Sequence, residues 1–179
     1  MNYQPDHPDE SLKTPYQPVW IFLVLSLLTF GLYTLFWFYR NWSLLRDRDG
    51  WDILPVPRAV FAIFFTHNLL ESINDRAVAQ GHSGGAPNWL ATGYVATALL
   101  TNLASQTTPR ELFPLFLIAS PAWFLLPAVA QLNFVALKES PARRRSALTR
   151  SEATLLLVGG VFTLLAVLGA LMPGNETPP

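Results

Sequence analysis

Residues 55–75 read PVPRAVFAIFFTHNLLESIND, and the architecture turns on whether this stretch crosses a bilayer. Its uncharged part, Ala59 to Leu70, is 12 residues long. As a helix that is ~18 Å, where about 30 Å of hydrocarbon requires roughly 20 apolar residues. The nine Val, Ile, Leu and Phe residues between Val56 and Ile73 favour insertion by about 0.3–0.6 kcal/mol each, and one charge near the centre costs about 2.5–3.5 kcal/mol. With Arg58 and Glu71 at its ends and His67 and Asn68 inside, the sum is near zero. Asn68, Glu71 and Asp75 share one helical face, while Leu69, Leu70 and Ile73 share the other. The segment over 56–75 therefore reads as an interfacial or re-entrant amphipathic helix.

On either side lie four longer apolar runs. Residues 19–39 (VWIFLVLSLLTFGLYTLFWFY) and 153–172 carry no charge, 89–106 is diluted by Thr, Gly and Asn, and 112–137 contains Pro121 and Pro127. Each is long enough to span, and the two prolines are expected to kink the third. The basic residues set the orientation. Arg40, Arg46, Arg48 and Arg58 follow the first run, and Lys138, Arg143, Arg144, Arg145 and Arg150 precede the last, together 9 of the 12 Lys and Arg. Two cytoplasmic loops need an even number of crossings between them, which is satisfied if 56–75 stays out of the count. The expectation is an all-α membrane bundle with four transmembrane helices, one interfacial helix and both termini outside. The alternative has five transmembrane helices.

Composition agrees with this class. The chain has 179 residues, of which 51% are hydrophobic and only 13% charged, against about 25% charged in soluble domains. Zero net charge excludes a nucleic-acid binder, which needs a basic excess. The lack of cysteine removes disulfides, thiolate metal sites and thiol nucleophiles. Residues 1–18, with Pro5, Pro8, Pro15 and Pro18, and residues 173–179 read as flexible tails around one membrane domain, 19–172. The acidic stretch before Val19 lacks the marks of a cleaved leader, so the first helix is expected to be retained.

Phe36, Trp37, Phe38, Tyr39 and Trp42 read as an aromatic belt at headgroup level, beside arginines that can reach water. The stretch TFGLYTLFWFYRNW (29–42), followed by Pro55-Val56-Pro57-Arg58-Ala59-Val60-Phe61, resembles a group of small bacterial integral membrane proteins of unknown function. They carry T-F-G-[LI]-Y-x-x-[FY]-W-F-Y-[RK]-N-W after an N-terminal span and then P-x-x-R-A-x-F. The resemblance covers roughly the first 75 residues. It implies a multi-pass protein of the bacterial inner membrane and supplies no catalytic residues.

Within the runs, Gly93, Thr97 and Thr101 and then Gly159 and Thr163 recur at helical spacing, as small side chains do where membrane helices pack closely. Thr149 to Glu152 has the form of a capping box. His67 and Glu71, at i and i+4, with His82 in the loop GHSGGAP, are the candidates for a metal or a catalytic pair, although two ligands are too few and no spacing rule requires the third. No carboxylate, Lys or Arg lies inside the four runs, which weighs against proton or ion transport. The arginines at 40, 46, 48, 58 and 143–145 are the candidate orientation and lipid-headgroup residues. No cofactor is expected. The expected partners are the bilayer with its anionic phospholipids and a second copy or another membrane protein. The preferred function is a non-enzymatic structural, accessory or scaffolding protein. The alternatives are a small channel or transporter component and, third, an interface enzyme using His67 and Glu71.

Overall fold

The computed structural model describes residues 14–107, 109, 118–140 and 147–171, and helix is the only regular structure among them. The elements are α1 (Val19–Leu28), α2 (Leu32–Asp49), α3 (Pro55–Val60), α4 (Ala62–Ala79), α5 (Pro87–Ser105), a 3₁₀ turn (Pro121–Leu125), α6 (Leu126–Glu139) and α7 (Arg150–Leu171).

The run over 19–39, expected to be one crossing helix, is two helices. At the end of α1 the Phe30 N–H donates to the Leu27 carbonyl (3.1 Å) and the Gly31 N–H to the Ser26 carbonyl (2.8 Å). This paired closure ends a helix by turning one residue left-handed, here Phe30 (φ 50°), with Gly31 (φ 85°) left-handed as well. Glycine takes that conformation freely, whereas Phe30 takes it at a steric cost. The Thr29 hydroxyl serves both helices: it donates to the Leu25 carbonyl (2.7 Å) and accepts the Tyr33 N–H (2.9 Å). The chain then returns, with Phe22 of α1 meeting Tyr33 and Trp37 of α2 at ring-centroid distances of 6.2 and 5.5 Å. At the far end, Glu139 accepts the Thr14 N–H (2.8 Å) and the Arg48 guanidinium (2.5 Å). Thr14 precedes α1 and Arg48 sits in the last turn of α2, so the segment before α1 and the end of α2 meet at Glu139.

The aromatic residues expected to form a belt are mostly core. Trp37, Phe38 and Trp42 are buried with Phe22 and Leu25 of α1, Leu69 and Leu70 of α4, and Leu125 and Val129 beside them. Only Phe36 and Tyr39 remain exposed. A belt count sees ring type, whereas a helix turned back on its neighbour buries one side of every turn.

Residues 56–75 fall in α3 and α4, separated by a turn at Phe61. Asn68, Glu71 and Asp75 are exposed, and Leu69, Leu70 and Ile73 are buried. The buried face lies against α5 and α6 rather than on an open surface. The exposed apolar side chains here are Val56, Val60, Phe61 and Phe64, around the α3–α4 turn.

Pro121 and Pro127 do not stand in the interior of one long α-helix. Each stands at the start of an element, Pro121 opening the 3₁₀ turn after Ser120 and Pro127 in the first turn of α6. At Pro121 a missing N–H costs nothing, because first-turn donors have no intrahelical partner, whereas Pro127 stands where the 3₁₀ turn passes into the α-helix. Residues 112–117 of the same run lie outside the described residues.

α7 opens with the expected capping box. Glu152 accepts the Thr149 N–H (2.9 Å) and hydroxyl (2.9 Å), and Thr149 accepts the Glu152 N–H (3.3 Å). Arg150–Gly169 has a mean hydropathy of 2.0, with only 17% of its most apolar window buried in the protein. Among the described residues this is the one helix long and apolar enough to cross a membrane, and α1 is a second, shorter apolar helix. The α7 helix meets the hairpin at its tip. A Cβ on Gly159 would stand 2.9 Å from the Leu28 carbonyl oxygen, which also accepts the Thr163 hydroxyl (2.7 Å). These two candidate packing residues thus let α7 reach the open carbonyl end of α1.

Candidate functional site

Several polar side chains tie helices together away from the hairpin tip. Glu139, Thr14 and Arg48 form one knot, and the Thr14 hydroxyl also donates to Glu139 (3.2 Å). Next to it, Asn133 pairs with the extended segment before α1. Its carbonyl accepts the Gln17 N–H (2.8 Å) and its amide donates to the Gln17 carbonyl (2.7 Å), both buried. Gln17 in turn donates to the Tyr33 hydroxyl. Gln131 donates to Asn74 (2.9 Å), joining α6 to α4, and Arg76 pairs with Asp49, joining α4 to the end of α2.

Burial pushes the Glu139 carboxyl up, but the Thr14 N–H and the Arg48 guanidinium outweigh it and hold the group below the ordinary glutamate value of 4.5. A carboxyl held low in the folded state takes up protons more readily when unfolded. Its contribution is therefore complete above about pH 4.5 and is lost as pH falls through the lowered folded value. At pH 7, Glu139→Gln removes a charge-assisted bond of about 1.5–3 kcal/mol, an expected fall in Tm of roughly 3–12 °C. Thermal unfolding in micelles as a function of pH checks this: the wild-type and variant curves should converge as pH falls through the lowered folded value.

The candidate metal or catalytic residues are not brought together. His67 faces Thr92 on α5, with its Nε2 3.2 Å from the hydroxyl. His82 stacks edge-on against Phe134 of α6, and its Nδ1 accepts the Gly84 N–H (3.1 Å). Glu71 is exposed on α4. Among the described residues, no three His, Asp or Glu side chains are grouped as metal ligands.

The orientation arginines have separate settings. Arg48 is in the Glu139 knot, Arg46 pairs with Asp47 (2.7 Å), and Arg58 lies over the rings of Trp42 (4.7 Å) and Phe65 (5.0 Å). Arg40 is exposed on α2 facing the start of α7. Arg143, Arg144 and Arg145 lie outside the described residues. Of the packing residues on α5, Gly93 makes room for the Phe124 ring, which a side chain there would meet. Thr101 donates back to the Thr97 carbonyl (2.7 Å), a bond within its own helix.

Two cavities stand out. The larger, about 890 Å³, is an apolar groove between the α1–α2 hairpin and α7, running from Leu28 and Phe30 past Leu32 and Phe36 on one wall and from Leu155 to Ala166 on the other. Another, about 370 Å³, lies between the hairpin tip, α5 and Ser120, and its lining residues include Ser26, Thr34, Tyr94, Thr101 and Ser105. The Ser26 hydroxyl itself is fully buried, without a hydrogen-bond partner among the described residues. Ser26 and Thr34 were not legible as site residues, because each is a lone hydroxyl in an apolar run. Comparisons with protein-family models, with curated proteins and with solved structures find no match to this chain.

Proposed function

We propose that the chain is a non-enzymatic, accessory or scaffolding protein of a bacterial inner membrane. In this reading α7 crosses the bilayer, α5 and α6 go out and back as a pair, and the α1–α2 hairpin enters the apolar layer and returns to the side it came from. The basic segments around Arg40–Arg58 and Lys138–Arg150 then share the cytoplasmic face. The observation that carries the layout is Glu139 holding Thr14 and Arg48 together. A crossing at 19–39 would put those two residues on opposite sides of the bilayer, so this layout replaces the four-crossing one. The scaffolding role is supported by where the polar groups are spent: on ties between helices, with apolar side chains left outward on α7.

The chain has no native cysteine, so single cysteines at Ser11, Ser83, Ser146 and Asn175 can be probed with an impermeant maleimide on spheroplasts. The first three are expected to react only after permeabilisation, and the cysteine at 175 from outside. Labelling of position 11 from outside would restore the crossing at 19–39, and labelling of position 146 would remove the shared cytoplasmic face. Crosslinking in native membranes then tests the role, with a reproducible protein neighbour as the expected product.

A channel or transporter component is the second reading. The cavity whose lining includes Ser26, Thr34, Tyr94, Thr101 and Ser105 favours it, and solute flux in proteoliposomes distinguishes it from a scaffold.

A further inference from the structure

We propose that α6, through Asn133 and Glu139, is a clamp for extended, proline-rich segments. Residues 14–18 of the same chain occupy it as a strap, and such a segment of a partner protein takes the strap's place. This rests on the scaffolding role above, whose partner it describes.

The strap reads Thr14-Pro15-Tyr16-Gln17-Pro18, with a proline after each of the two residues that α6 holds. A proline fixes its own φ and confines the residue before it to extended backbone, so Thr14 and Gln17 are shaped by sequence before they dock. Pro18 has φ −53° and ψ 132°, near polyproline II values. That helix repeats every three residues and makes no hydrogen bonds of its own. Thr14 and Gln17 are one such repeat apart and buried, while Pro15 and Tyr16 between them are half-buried. One repeat advances ~9.3 Å. Asn133 and Glu139, six residues apart on α6, are separated by ~9 Å along its axis. The two pitches agree, so one turn of the strap meets both side chains.

What α6 reads is mostly backbone. Glu139 accepts the Thr14 N–H (2.8 Å), and Asn133 accepts the Gln17 N–H (2.8 Å) and donates to the Gln17 carbonyl (2.7 Å). Any residue except proline offers these three bonds at the two positions. Side chains add less: the Thr14 hydroxyl donates to Glu139 (3.2 Å) and accepts from Arg48 (3.2 Å), and the Gln17 amide donates to the Tyr33 hydroxyl. Arg48 in turn holds Glu139 in place (2.5 Å).

The strap also underfills its place. Pro15 and Tyr16 border a cavity of about 420 Å³ whose other walls include Tyr33, Phe36 and Leu155. Aromatic walls beside a docked proline are a recurring way of binding proline-rich segments, whose preformed shape lowers the entropy lost on docking. A partner segment whose side chains reach further into this space keeps the three backbone bonds and buries more apolar surface. That surplus is what sets it against the strap, which has the advantage of its tether.

Fluorescence anisotropy of a labelled peptide of residues 13–18 (KTPYQP), added to the full chain in micelles, tests the proposal. In Gln17→Pro the chain's own strap loses the N–H that Asn133 holds. The peptide is then expected to bind one to one, at least about tenfold more tightly than to the wild type, whose tethered strap competes at an effectively millimolar concentration. Methylating the peptide nitrogen at its glutamine should weaken binding about tenfold, and glycines in place of both its prolines about four- to thirtyfold. Adding Asn133→Leu to Gln17→Pro should abolish it. Three results overturn the clamp: no binding to a Gln17→Pro chain that keeps the wild-type helical circular dichroism, equal binding of the methylated peptide, or a wild-type dimer that the peptide dissolves, which would assign the site to a second copy. If Gln17→Pro loses its helices, amide exchange in the wild type decides. Gln17 is expected to exchange by local opening at least about tenfold faster than Leu69 of α4, and equal rates would mean that the strap never leaves, which also overturns the clamp. Crosslinking in native membranes separates the two levels: a reproducible protein neighbour without peptide binding removes the clamp only, and failure of both removes the scaffolding role as well.

Discussion

Trp42→Ala is expected to lower stability by about 3–5 kcal/mol, the range for truncating a buried large aromatic, and to drop Tm by roughly 6–20 °C for a chain of this size. Trp42 is fully buried on α2. Its ring meets Phe65 of α4 (6.5 Å) and Trp51 (6.4 Å), and the Arg58 guanidinium covers it at 4.7 Å. Removing it opens a cavity where α2, α3 and α4 meet, and takes from Arg58 the stronger of its two ring faces. The indole N–H is buried without a partner, so Trp42→Phe should be far milder: it gives up some volume but also an unsatisfied donor worth about 1–3 kcal/mol. Thermal and urea unfolding in micelles, followed by circular dichroism, should rank the variants wild type, Phe, Ala or Phe, wild type, Ala, with alanine last. A Phe variant as damaged as the alanine one would refute the packing account.

Asn133→Leu is expected to cost about 2–6 kcal/mol despite similar volume, because it orphans two buried backbone groups of Gln17 at about 1–3 kcal/mol each. Asn133 imitates a strand partner, donating to and accepting from one residue of the extended segment 14–18. The loss should be local as well as global. Amide exchange at Gln17 should accelerate in the variant while amides in the middle of α4 keep most of their protection. Uniform acceleration would mean that the segment unfolds only with the whole bundle.

The legible parts of this fold were those written in local periodicity. The alternation of Asn68, Glu71 and Asp75 against Leu69, Leu70 and Ile73 identified the two faces of α4. Gly159 and Thr163 identified the face of α7 that seats on a neighbour, and Thr149 with Glu152 marked its start. The hairpin at 19–39 was hidden because hydropathy counts side chains, whereas the reversal is a backbone event at Phe30 and Gly31. Its signal was present in Thr29-Phe30-Gly31: a hydroxyl able to cap, then a glycine in an otherwise unbroken apolar run. Ser120 before Pro121 was likewise a start signal that read as a kink. What had no local trace was the pairing of Thr14 with Glu139 and of Gln17 with Asn133, since residues more than a hundred positions apart leave no periodicity. The groove is a space between elements, and no motif encodes a space.

The Asn133 and Glu139 ties also order events during synthesis. Segment 14–18 leaves the ribosome more than a hundred residues before its partners on α6 do, a delay of roughly 6–25 s at ordinary elongation rates. For that interval a long greasy stretch is available to the insertion machinery with nothing to draw its beginning back. The nascent amino-terminal segment must therefore stay pliant, or be held by another factor, until the sixth helix emerges and latches it.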